Sequence, residues 1–266
     1  MYRLDLIDPG SWLARQMSGA AAEPAQAAAD GGRFQVLYAL NRSNGHLYTS
    51  RAGQIIMQYG LTKAVTDELN ASLALPKDLI ITFKPCGTSN AWYAAEPGRE
   101  GITFCDEFFY EFERALAPYY QDQQAYEQAV LGATTFFLLH EVGHALIHQL
   151  DLPNLGREED AADRLAVWLL MQMQRPDLVL GAVNYFSHEA NHTLPGGHFP
   201  YWDSHGLNEQ RYYNLCCWLF GGNPEAFGWL VTQGILPEAR AAECIADDPK
   251  YNRDIAKLLA PWLRAG

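Results

Sequence analysis

His140, Glu141, Val142, Gly143 and His144 spell His-Glu-x-x-His inside the apolar run TTFFLLHEVGHALIHQL. On a helix, residues i and i+4 lie one turn apart on the same face, so both imidazoles can reach one metal ion. Glu141 projects beside that face. Zinc brings the pKa of a bound water close to neutrality, and a carboxylate there takes its proton and hands it to a leaving amine. A packed apolar helix gains nothing from two imidazoles and a carboxylate unless partners satisfy them. The same pattern recurs at His188-Glu189-Ala190-Asn191-His192. It runs into Thr193-Leu194-Pro195-Gly196-Gly197, which leaves little room for a rigid helix, and no ExxxD follows it. It reads as a solvated loop or a cleft rim.

Catalytic zinc takes three protein ligands and keeps a fourth position open. The HExxHxxGxxH solution fails here, because Ile147 and Leu150 occupy the Gly and third His positions. His148 lies one further turn along the helix, too far along its axis to join the other two, and reads as an outer or surface residue. The better source is Gly156-Arg157-Glu158-Glu159-Asp160-Ala161-Ala162-Asp163. Glu159 and Asp163 share a helix face at i,i+4, and the two alanines permit close packing. One carboxylate can bind metal while the other orients a metal-bound imidazole. Glu159 is the favoured ligand; Glu158 and Asp160 stay as alternatives, although an acidic first helical turn also suits the helix dipole.

Elements must hold these groups in place. Arg33–Leu40 alternates and is β-rich, and Leu79–Phe83, Ser89–Tyr93 and Ile102–Cys105 are further strand candidates. Ile55, Ile56, Tyr59, Leu61, Val65, Leu69 and Leu73 have the spacing of one amphipathic helix over Arg51–Leu73. Beyond residue 106 helices dominate: Asp106–Leu116, Tyr126–Leu150, Arg157–Gln174 stopped by Pro176, and shorter ones from about Leu207, Pro224 and Pro237. Ser187–His205 reads as an irregular loop. Strands first and helices after predict an α+β fold.

The chain has 266 residues, 48% of them hydrophobic, enough for a sizeable core. Its net charge of −12 disfavours nucleic acid as a partner. No run approaches the roughly 20 apolar residues of a transmembrane helix. The N-terminus lacks a signal-peptide core, so the chain reads as cytoplasmic; a trimmed start would instead allow a periplasmic or secreted protein. Residues 1–31, with the stretch AAAEPAQAAADGG, read as a flexible leader to one domain over 32–266. The five cysteines leave at least one thiol free. None has CxxC spacing, so they are discounted as zinc ligands, and Cys86 with Cys105 is either a disulfide or a pair of buried thiols.

In these pieces the sequence resembles the gluzincins, such as thermolysin and neprilysin. Asn90-Ala91-Trp92-Tyr93 looks like their substrate-pairing edge strand, which implies that Asn90 and the Ala91 backbone hold peptide by β-augmentation. ExxxD at Glu159 and Asp163 matches the third ligand and the Asp that orients the first His. Asp203-Ser204-His205, with Arg211 six residues on, resembles the neprilysin-type D-x-H…R. By that resemblance His205 stabilises the tetrahedral oxyanion, Asp203 orients it, and Arg211 binds a substrate carbonyl. ALPKDL, Cys86 to Tyr93, HEVGHALIHQLDLPNLGREEDAAD and WDSHGLNEQRYYN to Cys216 also resemble a family of bacterial metallopeptidases. The implied protein is a zincin-like hydrolase with one zinc per chain on His140, His144 and Glu159. It would cut peptide bonds with zinc-bound water activated by Glu141. The rival reading is an inactive zincin-fold module that binds peptide or zinc. Oligomeric state and natural substrate are not written in the sequence.

Overall fold

The computed structural model describes residues 31–39, 50–191 and 201–264. The expected leader, apart from its last residue, lies outside the described residues, as do Leu40, His192 and the centre of the Ser187–His205 segment. Four strands form one mixed sheet: β1 (Phe34–Tyr38), β2 (Leu79–Lys84), β3 (Ala91–Ala94) and β4 (Gly101–Cys105). The order is β1-β2-β4-β3, with β1, β2 and β4 parallel and β3 antiparallel to β4. The short strand β3 is therefore an edge. In β2 the alternation of LIITF buries Leu79, Ile81 and Phe83 on one face.

The helix expected over Arg51–Leu73 is two helices, α1 (Arg51–Tyr59) and α2 (Leu61–Ser72). Gly60 separates them in a left-handed conformation, φ +60°, that a side chain would disfavour. Both helices bury their apolar stripe in the same core, so the periodicity runs through the break unchanged. Next come α3 (Asp106–Leu116), α4 (Gln123–Gln149), α5 (Glu158–Gln172), α6 (Val179–Asn191), α7 (Asn208–Gly222) and α8 (Glu238–Leu259). The architecture is α+β, with a small mixed sheet and a helical C-terminal half, as expected.

Two expectations need correction. Ser187–Asn191 is not loop but the last part of α6, because Val179, Ala182, Val183 and Phe186 form a buried stripe that carries the helix past Ser187. One helix, α4, is also long and apolar enough to cross a bilayer by length and composition. Its most apolar window is 89% buried within the protein, which is how a central core helix looks. Phe83 and Phe104 of the sheet stack with ring centroids 5.3 Å apart, and Phe104 stacks on Phe109 of α3 at 5.3 Å. Phe112 of α3 then meets Phe137 of α4 at 5.6 Å. This ladder fixes α4 beneath the sheet, each buried Phe contributing roughly 1.5–3 kcal/mol over exposure.

The α4–α5 crossing matters most for the site. A Cβ on Gly143 would sit 3.0 Å from Ala162 Cα and 3.1 Å from its carbonyl oxygen, so Gly at 143 and Ala at 162 let the two backbones touch. Disulfides join Cys86 to Cys105 and Cys217 to Cys244, and Cys216 stays a buried thiol. The first settles the open pairing. The second ties α7 to α8, where a buried Arg164–Asp248 pair at 2.7 Å adds a second link from α5.

Candidate metal centre

Helix α4 delivers His140, Glu141 and His144, and the close α4–α5 crossing delivers Glu159, Glu158 and Asp163 to the same place. His140 Nδ1 lies 2.8 Å from Asp163 Oδ1, and His144 Nδ1 lies 2.7 Å from Glu158 Oε1. An ionised carboxylate can only accept, so both Nδ1 atoms donate and both Nε2 atoms face inward, where a metal would take the place of their protons. The two Nε2 atoms are 3.2 Å apart, and each is 3.2 Å from Glu159 Oε2. Three electron-rich atoms thus make an equilateral triangle.

That triangle suits a cation. Zinc holds His nitrogen and carboxylate oxygen at about 2.0–2.2 Å, and tetrahedral geometry then separates neighbouring ligand atoms by about 3.3–3.5 Å. Burial pushes the His140 imidazolium toward losing its proton, but Asp163 and Glu159 outweigh it and hold its pKa up at about 9. His144 is raised for the same reason, burial opposing and Glu159 prevailing. Burial raises Glu159, yet His140, His144 and His205 pull it far below the carboxylate range. All three shifts have one cause, the closeness of the imidazoles and carboxylates around one point.

His205 is the neighbour that complicates the ligand set. Its Nε2 lies 2.9 Å from Glu159 Oε2, its Nδ1 lies 3.1 Å from Asp203 Oδ1, and the same oxygen accepts from the His205 backbone N–H at 2.8 Å. His140, Glu159 and His205 offer atoms within 4.8 Å of one another. The trio with His144 is tighter and its imidazoles are more buried, whereas the His205 side chain is 44% exposed. His144 is thus the tighter and more buried neighbour of His140 and Glu159, with His205 standing beside them.

Sequence reasoning missed two features. Arg211 was expected to face substrate, but it is buried and grips both oxygens of Asp163, Nε to Oδ2 at 2.8 Å and Nη2 to Oδ1 at 2.7 Å. Its guanidinium also covers the Phe186 ring at 4.3 Å. Arg211 still lines the cleft, and its Nη1 makes no hydrogen bond among the described residues. Glu158 was weighed as a ligand and proves to be the partner of His144 Nδ1; nothing in its spacing separates those roles.

The centre floors a cleft of about 1020 Å³ whose rim includes Asn90 to Tyr93. The Cys105 N–H donates to the Asn90 carbonyl, which makes Asn90/Cys105 a hydrogen-bonded pair of the β3–β4 ladder. The backbone groups of Ala91 and Tyr93 then point outward, away from β4. Asn90 Oδ1 accepts from Ala91 N–H at 2.9 Å, and the Tyr93 backbone helps to lower the pKa of Glu141. The free edge therefore presents carbonyl oxygens at Ala91 and Tyr93. Glu141 is buried, and burial raises its pKa against the pull of His140 and His144. Tyr93 Oη meets His148 Nδ1 at 3.0 Å, which ties β3 to α4.

An α+β fold with a buried His/carboxylate metal centre under a sheet edge defines the class of protein in general terms. Residues 45–259 match the DUF4344 family, described as putative metallopeptidase, and the chain belongs to that family. No curated protein and no solved structure matches it.

Proposed function

We propose that the chain is a zinc-dependent endopeptidase or oligopeptidase with a zincin-like fold of the gluzincin type, its zinc held by His140, His144 and Glu159. The observation that carries this reading is the 3.2 Å triangle of two imidazole nitrogens and a carboxylate oxygen, close to the spacing tetrahedral zinc requires. Bound zinc supplies a Lewis acid that polarises the scissile carbonyl and acidifies water. Asp163 fixes the His140 tautomer, Arg211 holds Asp163 ionised, and Glu158 does for His144 what Asp163 does for His140.

Glu141 takes the proton from the attacking water and returns it to the leaving amine nitrogen. Its raised pKa brings the carboxyl nearer the range in which it can both accept and donate. His205, oriented by Asp203, donates Nε2–H to the developing oxyanion, and Arg211 Nη1 serves a substrate carbonyl. Peptide N–H groups pair with the Ala91 and Tyr93 carbonyls, and Asn90 borders that edge.

The test is elemental analysis combined with cleavage of a mixed peptide library. About one zinc per chain, and cleavage abolished by a chelator and restored by zinc, is the expected result. Zinc without cleavage would turn the reading into a binding module; no zinc after reconstitution would remove the metal centre altogether.

A further inference from the structure

Charge along the cleft is one-sided. Asp151, Glu158, Glu189, Asp203 and Glu209 line it in addition to Glu141 and Glu159, and Arg211 is its only lining Lys or Arg among the described residues. Asp163 already neutralises that guanidinium at 2.8 and 2.7 Å. A divalent cation at the centre still leaves the lining net negative.

These carboxylates are not equivalent. Glu158 serves His144, Asp203 serves His205, and Glu189 pairs with Arg114 at 2.7 Å. Asp151 and Glu209 have no ion pair among the described residues. Asp151 follows α4, just past His148, and Glu209 lies in the first turn of α7. Aromatic faces share the lining: Trp92 and Tyr93 from β3, and Phe108, Phe137 and Tyr185 from the helices. Carboxylates interleaved with aromatic rings fit a side chain that has an apolar stem and a cationic head. Low-dielectric walls of a cleft concentrate such a field on the ligand.

We infer that the cleft selects cationic peptides, with Lys or Arg side chains flanking the bond to be cut, and that Asp151 and Glu209 are the uncommitted carboxylates that receive them. The inference rests on the peptidase reading above. An acidic flank would be repelled from the same surface.

Three fluorescent decapeptides with one apolar frame and Lys, Gln or Glu at the flanking positions test this on the zinc-loaded full chain. Cleavage is followed directly, and affinity is read separately by anisotropy with the Glu141→Gln variant. The expected order is Lys, then Gln, then Glu, with about tenfold or more between the extremes at low salt and a smaller gap at high salt. The double variant Asp151→Asn/Glu209→Gln should narrow the Lys-to-Glu ratio at least about threefold. Equal or better use of the Glu peptide, or a Lys preference indifferent to both salt and the double variant, would overturn the inference. If nothing is cut, the peptidase reading fails, yet the anisotropy order still decides the charge preference. No binding of any of the three peptides overturns it as well.

Discussion

The chain carries His-Glu-x-x-His twice, and the two copies sit in opposite electrostatic settings. In the first, each imidazole gives its Nδ1–H to a carboxylate and turns its Nε2 toward a third carboxylate oxygen. In the second, His188 Nε2 faces the Arg114 guanidinium at 3.2 Å and Nδ1 faces Tyr119 Oη at 3.2 Å, while Glu189 pairs with Arg114 at 2.7 Å. A guanidinium already stands where a metal would have to approach. His192 lies outside the described residues. The second motif thus pins α6 to α3, and the first gathers imidazoles and carboxylates around one point. Two imidazoles and a carboxylate can gather around a cation when carboxylates orient them, and here α5 supplies those carboxylates to the first copy.

The sharpest way to break this contrast is to remove one group from each copy. Glu141→Gln should lower kcat by about 100- to 10,000-fold with zinc content unchanged, because a general base is lost and no ligand is. His188→Gln should keep its zinc and lose about 1–3 kcal/mol of stability in urea, the cost of disturbing a buried hydrogen-bonded imidazole. Zinc loss in the second variant would show that the two motifs are not separate.

Within the first copy the outer partners should grade the effect. Glu159→Ala should lose its zinc outright. Glu158→Ala should retain it with about 10- to 100-fold weaker affinity, read by competition with a chromogenic chelator, since only the orientation of His144 is lost. Equal zinc loss in both variants would mean that Glu158 is itself a ligand.

Asp163 extends the contrast to pH. Burial would raise its pKa, but Arg211 and His140 outweigh burial and hold it at about 2. A depressed carboxyl stabilises the fold above its unfolded pKa and loses that contribution as pH falls through the folded value. The window is therefore from about 4 down to about 2, and the contribution is on the order of 2 kcal/mol. Acid titration of the chelated protein should show the stability gap between parent and Asp163→Asn closing across that window. A constant gap would assign the effect to packing instead.

The legible and illegible parts of this molecule divide by range. HEVGH and EEDAAD declare themselves because i,i+4 spacing is local, and the apolar run around His140 marks α4 as buried. The sheet strands are legible from alternation in LIITF. The Arg211–Asp163 clamp is not, since it joins residues 48 apart and Asp163 is also the partner of His140. The Cys217–Cys244 bridge spans 27 residues with no spacing rule to announce it. Gly60 shows the converse: a local break hidden because the apolar stripe continues across it.

The smallest expected effect concerns His148, which follows His144 by one turn without joining the triangle of His140, His144 and Glu159. Tyr93 reaches α4 through its Oη on His148, while its carbonyl faces away from β4. Losing the His148 contact removes that tie between the strand and α4. The hydrogen bond is at the surface, so its loss should cost at most about 1 kcal/mol of stability. A loosened edge should instead weaken peptide pairing: Tyr93→Phe and His148→Ala should each raise KM severalfold at nearly constant kcat. The double variant should be no worse than either single one, because both remove the same contact. Additive effects, or a fall in kcat with KM unchanged, would mean that His148 acts on the chemistry through some other group than Tyr93.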